Sequence, residues 1–285
     1  MNIVVLGSTG MAGHMVARYI EKQGNTVYRI SRSEKESLYS RAIDVLETSA
    51  ILQYIDSINA DIVINCIGLL QKECEARPDL AIYINSYFPH LLEEHFKNSP
   101  TKIIHLSTDC VFSGLSGNYV ETDTPDGKTI YDRSKALGEI NNNKDLTFRM
   151  SIIGPDLDPK GTGLFNWFMQ QTGAINGYSN VIWNGITTLE LAEAITAAIH
   201  TNLAGIYQLV PDDTISKYQL LLLIKNVFGK DITINKDSSF TVNKTLKNTR
   251  TDFEYRVKSY SEQVHNLKIW IEENRDLYPQ FYYTY

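Results

Sequence analysis

The beginning of the sequence constrains the possible fold more than any other segment. A short β-branched and aliphatic run, Asn2–Leu6, leads directly into three glycines, Gly7, Gly10 and Gly13, and then into the helix-like stretch His14–Gln23. Glycines at these places permit a tight turn, an approach of backbone amides to a pyrophosphate, and close packing of the helix on the strand. This order of strand, glycine turn and helix therefore predicts a dinucleotide-binding unit.

The following sequence alternates apolar strands with helical segments. The predicted strands are Thr26–Ser31, Asp61–Ile67, Lys102–Ser107 and Leu146–Ser151, and the predicted helices are Ala50–Ile58, Pro78–Lys97, Ile130–Asn141, Leu189–His200 and Ser216–Phe228. Alternation of this kind predicts a parallel sheet with helices on both faces. We therefore predict an α/β fold with a Rossmann-type, doubly wound parallel sheet in residues 1–152. Residues 153–285 are predicted to form mainly a smaller α/β substrate-binding lobe that can return elements to the sheet.

Composition excludes several kinds of partner and site. The chain has 27 Lys and Arg against 33 Asp and Glu, so no excess of positive charge is available to bind a nucleic acid. Three cysteines form neither a disulfide framework nor a zinc pattern, which predicts no metal site and a reducing compartment. No signal-peptide pattern or apolar run near the ~20 residues of a membrane span is present, so we expect a cytoplasmic protein without a membrane partner.

The residues after the second predicted strand bear on the choice of cofactor. An acidic residue at this strand end would bond a ribose 2′-hydroxyl and repel a 2′-phosphate. Here Arg32 and Ser33 follow the strand, and a guanidinium pairs well with phosphate oxygens. The pattern favours NADP(H) over NAD(H), with a solvated surface arginine as the alternative.

Two groups of polar residues are candidates for catalysis. Tyr131 and Lys135 lie four residues apart in a predicted helix, so their side chains share one face. A nearby ammonium and an oxidised nicotinamide would together lower the phenol pKa from its ordinary value of about 10 and suit it to proton transfer. Ser107, Thr108 and Asp109 end an apolar strand, where a hydroxyl could bond a carbonyl that accepts hydride. A helix cap or turn is the alternative for this triplet.

Four motifs taken together resemble the dTDP-4-dehydrorhamnose reductase family of extended short-chain dehydrogenases/reductases. They are the Gly7–Gly13 turn, Ser107–Gly114, Asn118–Asp123 and Tyr131–Glu139, and their order and spacing match over about the first 150 residues. Trp183–Leu191 is similar to a further family element. The resemblance implies NADPH-dependent reduction of the 4-keto group of a nucleotide-activated deoxysugar, in the synthesis of cell-surface polysaccharide precursors. A homodimer is a further expectation.

The resemblance also implies roles for individual residues. Thr108, Tyr131 and Lys135 are the expected catalytic residues. The expected cofactor-binding residues are Gly7, Ser8, Thr9, Gly10, Met11, Arg32, Ser33, Asp44, Val45, Cys66, Ile67, Gly68, Asn85, Ser107, Tyr131 and Lys135. The expected substrate-binding residues are Asp109, Cys110, Ser151, Phe165, Trp167 and Arg250. Ordinary packing or a solvated charge is the alternative for Asp109, Phe165, Trp167 and Arg250.

The sequence departs from the family pattern at two places. Cys110 stands where the family usually has tyrosine, and Ile152 stands where it has a tryptophan that packs against the sugar. The family's own sugar product therefore does not transfer to this chain. A sugar-nucleotide epimerase and a non-catalytic NADP-binding regulatory subunit remain alternatives, whereas a 4,6-dehydratase would need a glutamate in place of Cys110.

The last residues of the chain are unusually aromatic. Phe281–Tyr285 contains one phenylalanine and three tyrosines. We expect this segment to pack on the body of the protein or on a second subunit.

Overall fold

The computed structural model describes residues 1–282. Its strands are β1 Asn2–Leu6, β2 Thr26–Ser31, β3 Ser40–Ala42, β4 Ile62–Asn65, β5 Lys102–Thr108, β6 Leu146–Met150, β7 Ile152–Ile153, β8 Ala174–Trp183, β9 Ile186–Thr187, β10 Gly205–Gln208, β11 Ile215–Ser216 and β12 Thr233–Asn243. Its α-helices are α1 Met11–Lys22, α2 Thr48–Ile58, α3 Gln71–Ala76, α4 Pro78–Ala81, α5 Phe88–Phe96, α6 Ile130–Leu137, α7 Leu164–Gln170, α8 Thr188–Ala198, α9 Lys217–Phe228 and α10 Tyr260–Glu273. A π-helical turn, Ile82–Tyr87, joins α4 to α5, and short 3₁₀ turns cover Asp109–Val111 and Pro279–Phe281.

A seven-stranded parallel sheet forms the centre of the fold. Its strand order is β10-β6-β5-β4-β1-β2-β3, so the chain builds outward from β1 first to one side and then to the other. This reversal creates a crevice at the carboxyl ends of β1 and β4, the usual ligand site of such sheets. The predicted α/β fold with a Rossmann-type sheet is confirmed.

Alternation of side chains along β1 explains why both faces of the sheet are covered. Ile3 and Val5 belong to one hydrophobic core, together with α1 and α8, whereas Val4 and Leu6 belong to a second core with α2 and α5. All four side chains are fully buried. A strand with two buried faces reads as a continuous apolar run, as this one does.

The C-terminal half contributes to the central sheet and also builds smaller sheets. β10 pairs in parallel with β6 at the edge of the central sheet. β8, β11 and β12 form a separate three-stranded sheet, and β7 pairs with β9. A domain division at residue 152 stays a prediction.

The predicted helix Pro78–Lys97 is interrupted by the π-helical turn. Pro89 has no N–H and cannot donate to the carbonyl of Asn85 four residues earlier, and its ring would clash with that carbonyl in a regular helix. The Asn85 carbonyl instead lies against Gly138, where any Cβ would overlap it. The strands β3, β8 and β12 were not predicted, because their exposed and mixed side chains lack a clear apolar alternation.

Aromatic side chains tie the end of the described chain to the glycine turn. The Nδ1–H of His14 donates to the Gly10 carbonyl (2.9 Å), so its Nε2 accepts from the Tyr278 hydroxyl (2.8 Å). Tyr278 is fully buried and also accepts a hydrogen bond from Trp270 Nε1 at 3.3 Å. Phe281 packs edge-to-face on Phe165. The aromatic end therefore packs on the body of the protein up to Phe281, whereas residues 283–285 lie outside the described range.

We expect Tyr278→Phe to lower the free energy of unfolding by about 1–3 kcal/mol, because it leaves two buried ring nitrogens without a partner. Urea denaturation followed by circular dichroism measures this. Tyr178→Phe is the matched control, since Tyr178 is 43% exposed, and it should change stability by less than about 0.5 kcal/mol. Equal stability of the two variants would contradict the role of the Tyr278 hydroxyl.

Candidate active site

The glycine turn presents backbone amides to the crevice. Gly7 has a φ of +76°, which permits the sharp exit from β1, and the Gly10 amide donates to the Gly7 carbonyl at 3.0 Å. α1 begins after Gly10 without a side-chain cap, so its first amides are free to bind an anion. A Cβ at Gly13 would overlap the Gly7 carbonyl, whereas one at Gly10 would lie 3.4 Å from it. This arrangement fits a pyrophosphate.

Polar side chains surround the turn on the side of β2. Thr9 Oγ1 lies 3.0 Å from the hydroxyls of Ser31 and Ser33. Ser8 Oγ donates to the carboxylate of Glu34 at 2.6 Å. Sequence reasoning missed Glu34, because it lies three residues beyond the end of β2 and only the fold of the loop brings it to the turn.

Arg32 and Met11 complete this side of the crevice. The Arg32 side chain is exposed and makes no hydrogen bond or ion pair with any residue of the described range 1–282. Its guanidinium is therefore available to a phosphate. Met11 begins α1, and its sulfur faces Gly163 of the C-terminal half.

The segment Asp44–Val45 follows β3 beside the end of β2. The neighbouring Ile43 amide donates to the Ser31 carbonyl at 3.2 Å, which holds this segment near the turn. Asp44 Oδ1 accepts from the Leu46 amide at 2.9 Å, and Val45 is buried in the second core. Both residues therefore lie on the side of the crevice where Arg32 lies.

The loop after β4 forms the opposite wall. The Cys66 amide donates to the Leu6 carbonyl, and the Ile67 amide donates to Asn65 Oδ1. Burial raises the pKa of the Cys66 thiol to about 12. The thiol is therefore neutral at physiological pH and is not a nucleophile. Gly68 lies next to Asn85.

Asn85 lies behind the site and connects this loop to α6. Its Oδ1 accepts from the Leu69 amide at 2.8 Å, and its Nδ2 donates to the Leu69 carbonyl at 3.0 Å and to Ser134 Oγ at 3.1 Å. The side chain is completely buried. Asn85 therefore positions the wall of the crevice and does not face it.

The start of α6 carries the predicted catalytic pair. Thr129 and Asp132 form a capping box that fixes the first turn of the helix, in which Tyr131 lies. Burial raises the pKa of Tyr131 above its ordinary value, and the nearby Thr108 side chain acts in the opposite direction. The structure thus brings Thr108 and Tyr131 together.

Lys135 lies one turn further along α6 and is 4% exposed. Its Nζ donates to the Leu106 carbonyl at 2.7 Å and lies 3.5 Å from His105 Nε2. Burial lowers the pKa of Lys135 to about 8. His105 is fully buried and its pKa lies well below the ordinary value, first because of burial and then because of Lys135. Sequence reasoning missed this histidine, which lies in an otherwise apolar strand.

A buried ion pair connects α6 to the ends of β5 and β6. Arg149 Nε and Nη2 donate to the two carboxylate oxygens of Glu139 at 2.8 and 2.7 Å. The Ser107 hydroxyl donates to the same carboxylate at 2.6 Å. Ser107 therefore directs its hydroxyl to Glu139 and supports the strand end. Glu139 is the last residue of the Tyr131–Glu139 motif, so this motif was the signal in the sequence for the ion-pair network.

Three of the predicted substrate-binding residues lie together beside Thr108. Asp109 Oδ1 accepts from the Thr108 hydroxyl at 3.1 Å, and the Cys110 amide donates to that hydroxyl at 3.1 Å. Burial raises the pKa of Cys110 to about 12, so this thiol is neutral. Ser151 Oγ accepts from Trp183 Nε1 at 2.8 Å, which fixes the indole at the edge of the lobe.

Two of the other predicted substrate-binding residues have partners within the protein. Phe165 is fully buried between Phe228 and Phe281 and belongs to the core, because α7 turns this face inward. The guanidinium of Arg250 donates to the carbonyls of Ala204 and Ile206 and to Asp252, so its donors are already engaged. Trp167 lies on α7 with 39% of its surface exposed.

Within residues 1–282, no group of three or more His, Cys, Asp or Glu side chains is arranged to hold a metal ion. In the same part of the chain, none of the helices has both the length and the apolar composition that a bilayer span requires.

The glycine turn offers a direct test of the cofactor site. Gly10 has φ −78° and ψ 169°, which alanine can adopt. Gly10→Ala should therefore fold normally but bind a nicotinamide dinucleotide at least about tenfold more weakly, because a Cβ would stand where the pyrophosphate approaches the amides. Fluorescence titration and thermal unfolding measure the two quantities. Gly13→Ala, the contrasting variant, should lose stability. Unchanged affinity in a folded Gly10→Ala protein would contradict the site.

Comparisons with known proteins agree with this architecture. A probable low-salt glycan biosynthesis reductase from Haloferax volcanii is 32% identical over 49% of this chain and 48% of its own length. The dTDP-4-dehydrorhamnose reductase of Escherichia coli is 26% identical over 79% of this chain and 77% of its own length. The crystal structure of dTDP-4-dehydrorhamnose reductase from Bacillus anthracis in complex with NADP superimposes with a TM-score of 0.81 at 20% identity, over 94% of this chain and 99% of that one.

The extent of the matches differs between these comparisons. The chain spans about half the length of the first curated relatives that it matches. The family model described as the RmlD substrate binding domain matches residues 1–245. This match covers well over half of the sequence, and the chain therefore belongs to the RmlD substrate-binding-domain family.

Proposed function

We propose that the protein is an NADP(H)-dependent reductase that converts the 4-keto group of a nucleotide-activated deoxysugar into an alcohol. The observation that carries this proposal is the meeting of Thr108 with Tyr131, one helical turn from the buried Lys135. A hydroxyl, a phenol and an ammonium in this arrangement suit the protonation of a carbonyl oxygen as hydride reaches its carbon.

The cofactor would be held by residues on both sides of the crevice. The amides of the glycine turn would bind the pyrophosphate, Arg32 and Ser33 would bind the 2′-phosphate, and Cys66–Gly68 would lie along the nicotinamide half. When bound, the reduced nicotinamide supplies the hydride. The protein's own task is to orient the keto sugar and to handle the proton.

Tyr131 would provide that proton. The raised pKa keeps the phenol protonated at neutral pH, so it is a proton donor before the reaction. Giving up the proton leaves a phenolate in a buried site, which requires a nearby positive charge. A pKa of about 8 keeps most Lys135 side chains protonated at pH 7, so Lys135 can supply that charge.

Thr108 would hold the carbonyl oxygen where negative charge develops. In the structure its hydroxyl donates to Asp109, and it would turn toward the substrate when a carbonyl enters. A fixed hydroxyl at this position stabilises the transition state more than the ground state. Asp109 and Cys110 would then line the pocket around the sugar.

The comparisons support the substrate class and the pathway. Relatives named as dTDP-4-dehydrorhamnose reductases and a spore coat polysaccharide biosynthesis protein of Bacillus subtilis are similar to this chain. We infer from these names that the product enters the synthesis of a surface polysaccharide. The homodimer and the cytoplasmic location stay predictions.

A non-catalytic regulatory subunit is the second candidate. The methionine adenosyltransferase 2 subunit beta of Mus musculus is 24% identical over 48% of this chain. The catalytic arrangement of Thr108, Tyr131 and Lys135 favours the reductase, because binding alone requires no proton donor at the crevice.

We expect Tyr131→Phe to lower the rate of keto-sugar reduction by at least about 100-fold, since it removes the general acid. NADPH oxidation with dTDP-4-dehydrorhamnose and other nucleotide-linked 4-keto-6-deoxyhexoses measures the rate. NADPH affinity should stay within about twofold of wild type. Tyr87→Phe, at a tyrosine that is 52% exposed, is the control and should retain full activity. Full activity of Tyr131→Phe would refute its role, and a wild-type protein without activity on any of these sugars would favour the regulatory subunit.

The choice of cofactor is tested at the two charges beside the glycine turn. Arg32→Ala should weaken NADPH binding about tenfold and leave NADH binding unchanged, because only NADPH carries the 2′-phosphate. Glu34→Gln should strengthen NADPH binding, since it removes a negative charge that repels the negatively charged 2′-phosphate. Lys35→Ala is the control at an adjacent exposed cation. Equal losses for both cofactors in Arg32→Ala would contradict the assignment.

A further inference from the structure

Lys217, in the C-terminal half, lies near the end of β5, the strand that ends at Thr108. Ser216 and Gln219 form the capping box of α9, which places Lys217 at the first position of the helix. Its Nζ lies 4.3 Å from the centroid of the Trp183 ring. The hydrogen bond from Trp183 to Ser151 fixes that ring. The lysine is therefore held at the boundary between the lobe and the crevice.

The carboxylate of Asp109, the residue directly after β5, affects the pKa of Lys217. Burial lowers the pKa of Lys217 to about 8, and the carboxylate of Asp109 acts in the opposite direction. Conversely, burial raises the pKa of Asp109, while Lys217 and then Lys244 act to lower it. Geometry agrees with this: Trp183, under the Lys217 ammonium, bonds to Ser151, and the neighbouring Met150 pairs with Thr108 in the sheet. Lys217 therefore lies near the residues that directly follow Thr108.

Among residues 1–282, no carboxylate forms an ion pair with the ammonium of Lys217. Within the described part of the chain it makes no hydrogen bond and no ion pair within contact distance. A mostly buried ammonium is costly without hydrogen bonds, and the face of Trp183 replaces only part of its hydration. Lys217 and Lys244 both act on the carboxylate of Asp109.

Resting on the proposed function, we propose that Lys217 is a specificity-determining residue that binds an anionic oxygen of the nucleotide sugar. The oxygen belongs either to the diphosphate or to a carboxylate on the sugar. Both would give the ammonium the charge-assisted hydrogen bonds that it lacks. Because Lys217 lies in the C-terminal lobe near Asp109, a predicted substrate-binding residue, we assign the anionic group to the substrate and not to the cofactor.

Binding of nucleotides without turnover tests this role. Isothermal titration calorimetry would use UDP and dTDP and the glucose and glucuronic acid conjugates of each nucleotide. The proteins are wild type, Lys217→Met, Lys217→Arg and the control Lys236→Met, which removes an exposed positive charge from β12 of the same lobe. Thermal unfolding and NADPH affinity show that each variant is folded, and Lys217→Gln replaces the Met variant if that one does not fold.

Lys217→Met should bind at least about tenfold more weakly, the loss expected for a charge-assisted hydrogen bond. If Lys217→Met loses affinity for all three forms of a nucleotide, Lys217 binds the diphosphate. If it loses affinity for the glucuronic acid conjugate alone, Lys217 binds the sugar carboxylate. Lys217→Arg should recover most of the affinity, and Lys236→Met should match wild type.

Two other results have distinct meanings. If Lys217→Met binds every form as tightly as wild type, the role of Lys217 is overturned while the reductase proposal stands. If wild-type protein binds none of the nucleotides, the proposed function fails, and the inference fails with it.

Discussion

The close packing of α1 against the turn that precedes it is the constraint on which the site depends. A side chain at Gly13 would overlap the Gly7 carbonyl, and Gly7 itself adopts a positive φ. Because neither glycine carries a side chain, α1 begins after a short turn from the end of β1. This turn lies beside the position where the strand order of the sheet reverses. The free amides of the helix therefore face the same crevice as the ends of β4 and β5.

Buried polar contacts set the geometry of the predicted catalytic residues. The bidentate pair between Arg149 and Glu139 adds little net stability, because desolvation of both charges offsets their attraction, but loss of one partner costs about 3–5 kcal/mol. The pair therefore holds α6 in one position against β5 and β6. Lys135 is fixed in turn by the Leu106 carbonyl, and a neutral His105 lies beside it. Tyr131 lies on α6, so these contacts also determine its position.

The C-terminal half packs against the loop around Tyr119 and the end of β6, and the departures from the family pattern lie near these contacts. Asn184 exchanges two hydrogen bonds with the backbone of Leu246, and the segment that follows β12 pairs with the loop around Tyr119. Trp183 bonds to Ser151, the residue directly before Ile152. Cys110, Ile152 and Lys217 thus lie where the C-terminal lobe meets the ends of β5 and β6. Under the proposed function, the sugar would be selected at this boundary.

Local sequence determined the sheet, the glycine turn and the spacing of Tyr131 and Lys135, because buried strands, capped helices and glycine turns depend on neighbours within a few residues. Sequence alone left open whether Phe165 and Arg250 contact a substrate or pack within the protein, because inward packing and backbone hydrogen bonds depend on residues far away in the chain. For the same reason sequence alone did not place Glu34 beside Ser8, His105 beside Lys135 or Lys217 near Asp109. Only the tertiary structure decided those contacts, since it alone fixes which distant side chains share a desolvated space and therefore change each other's charge.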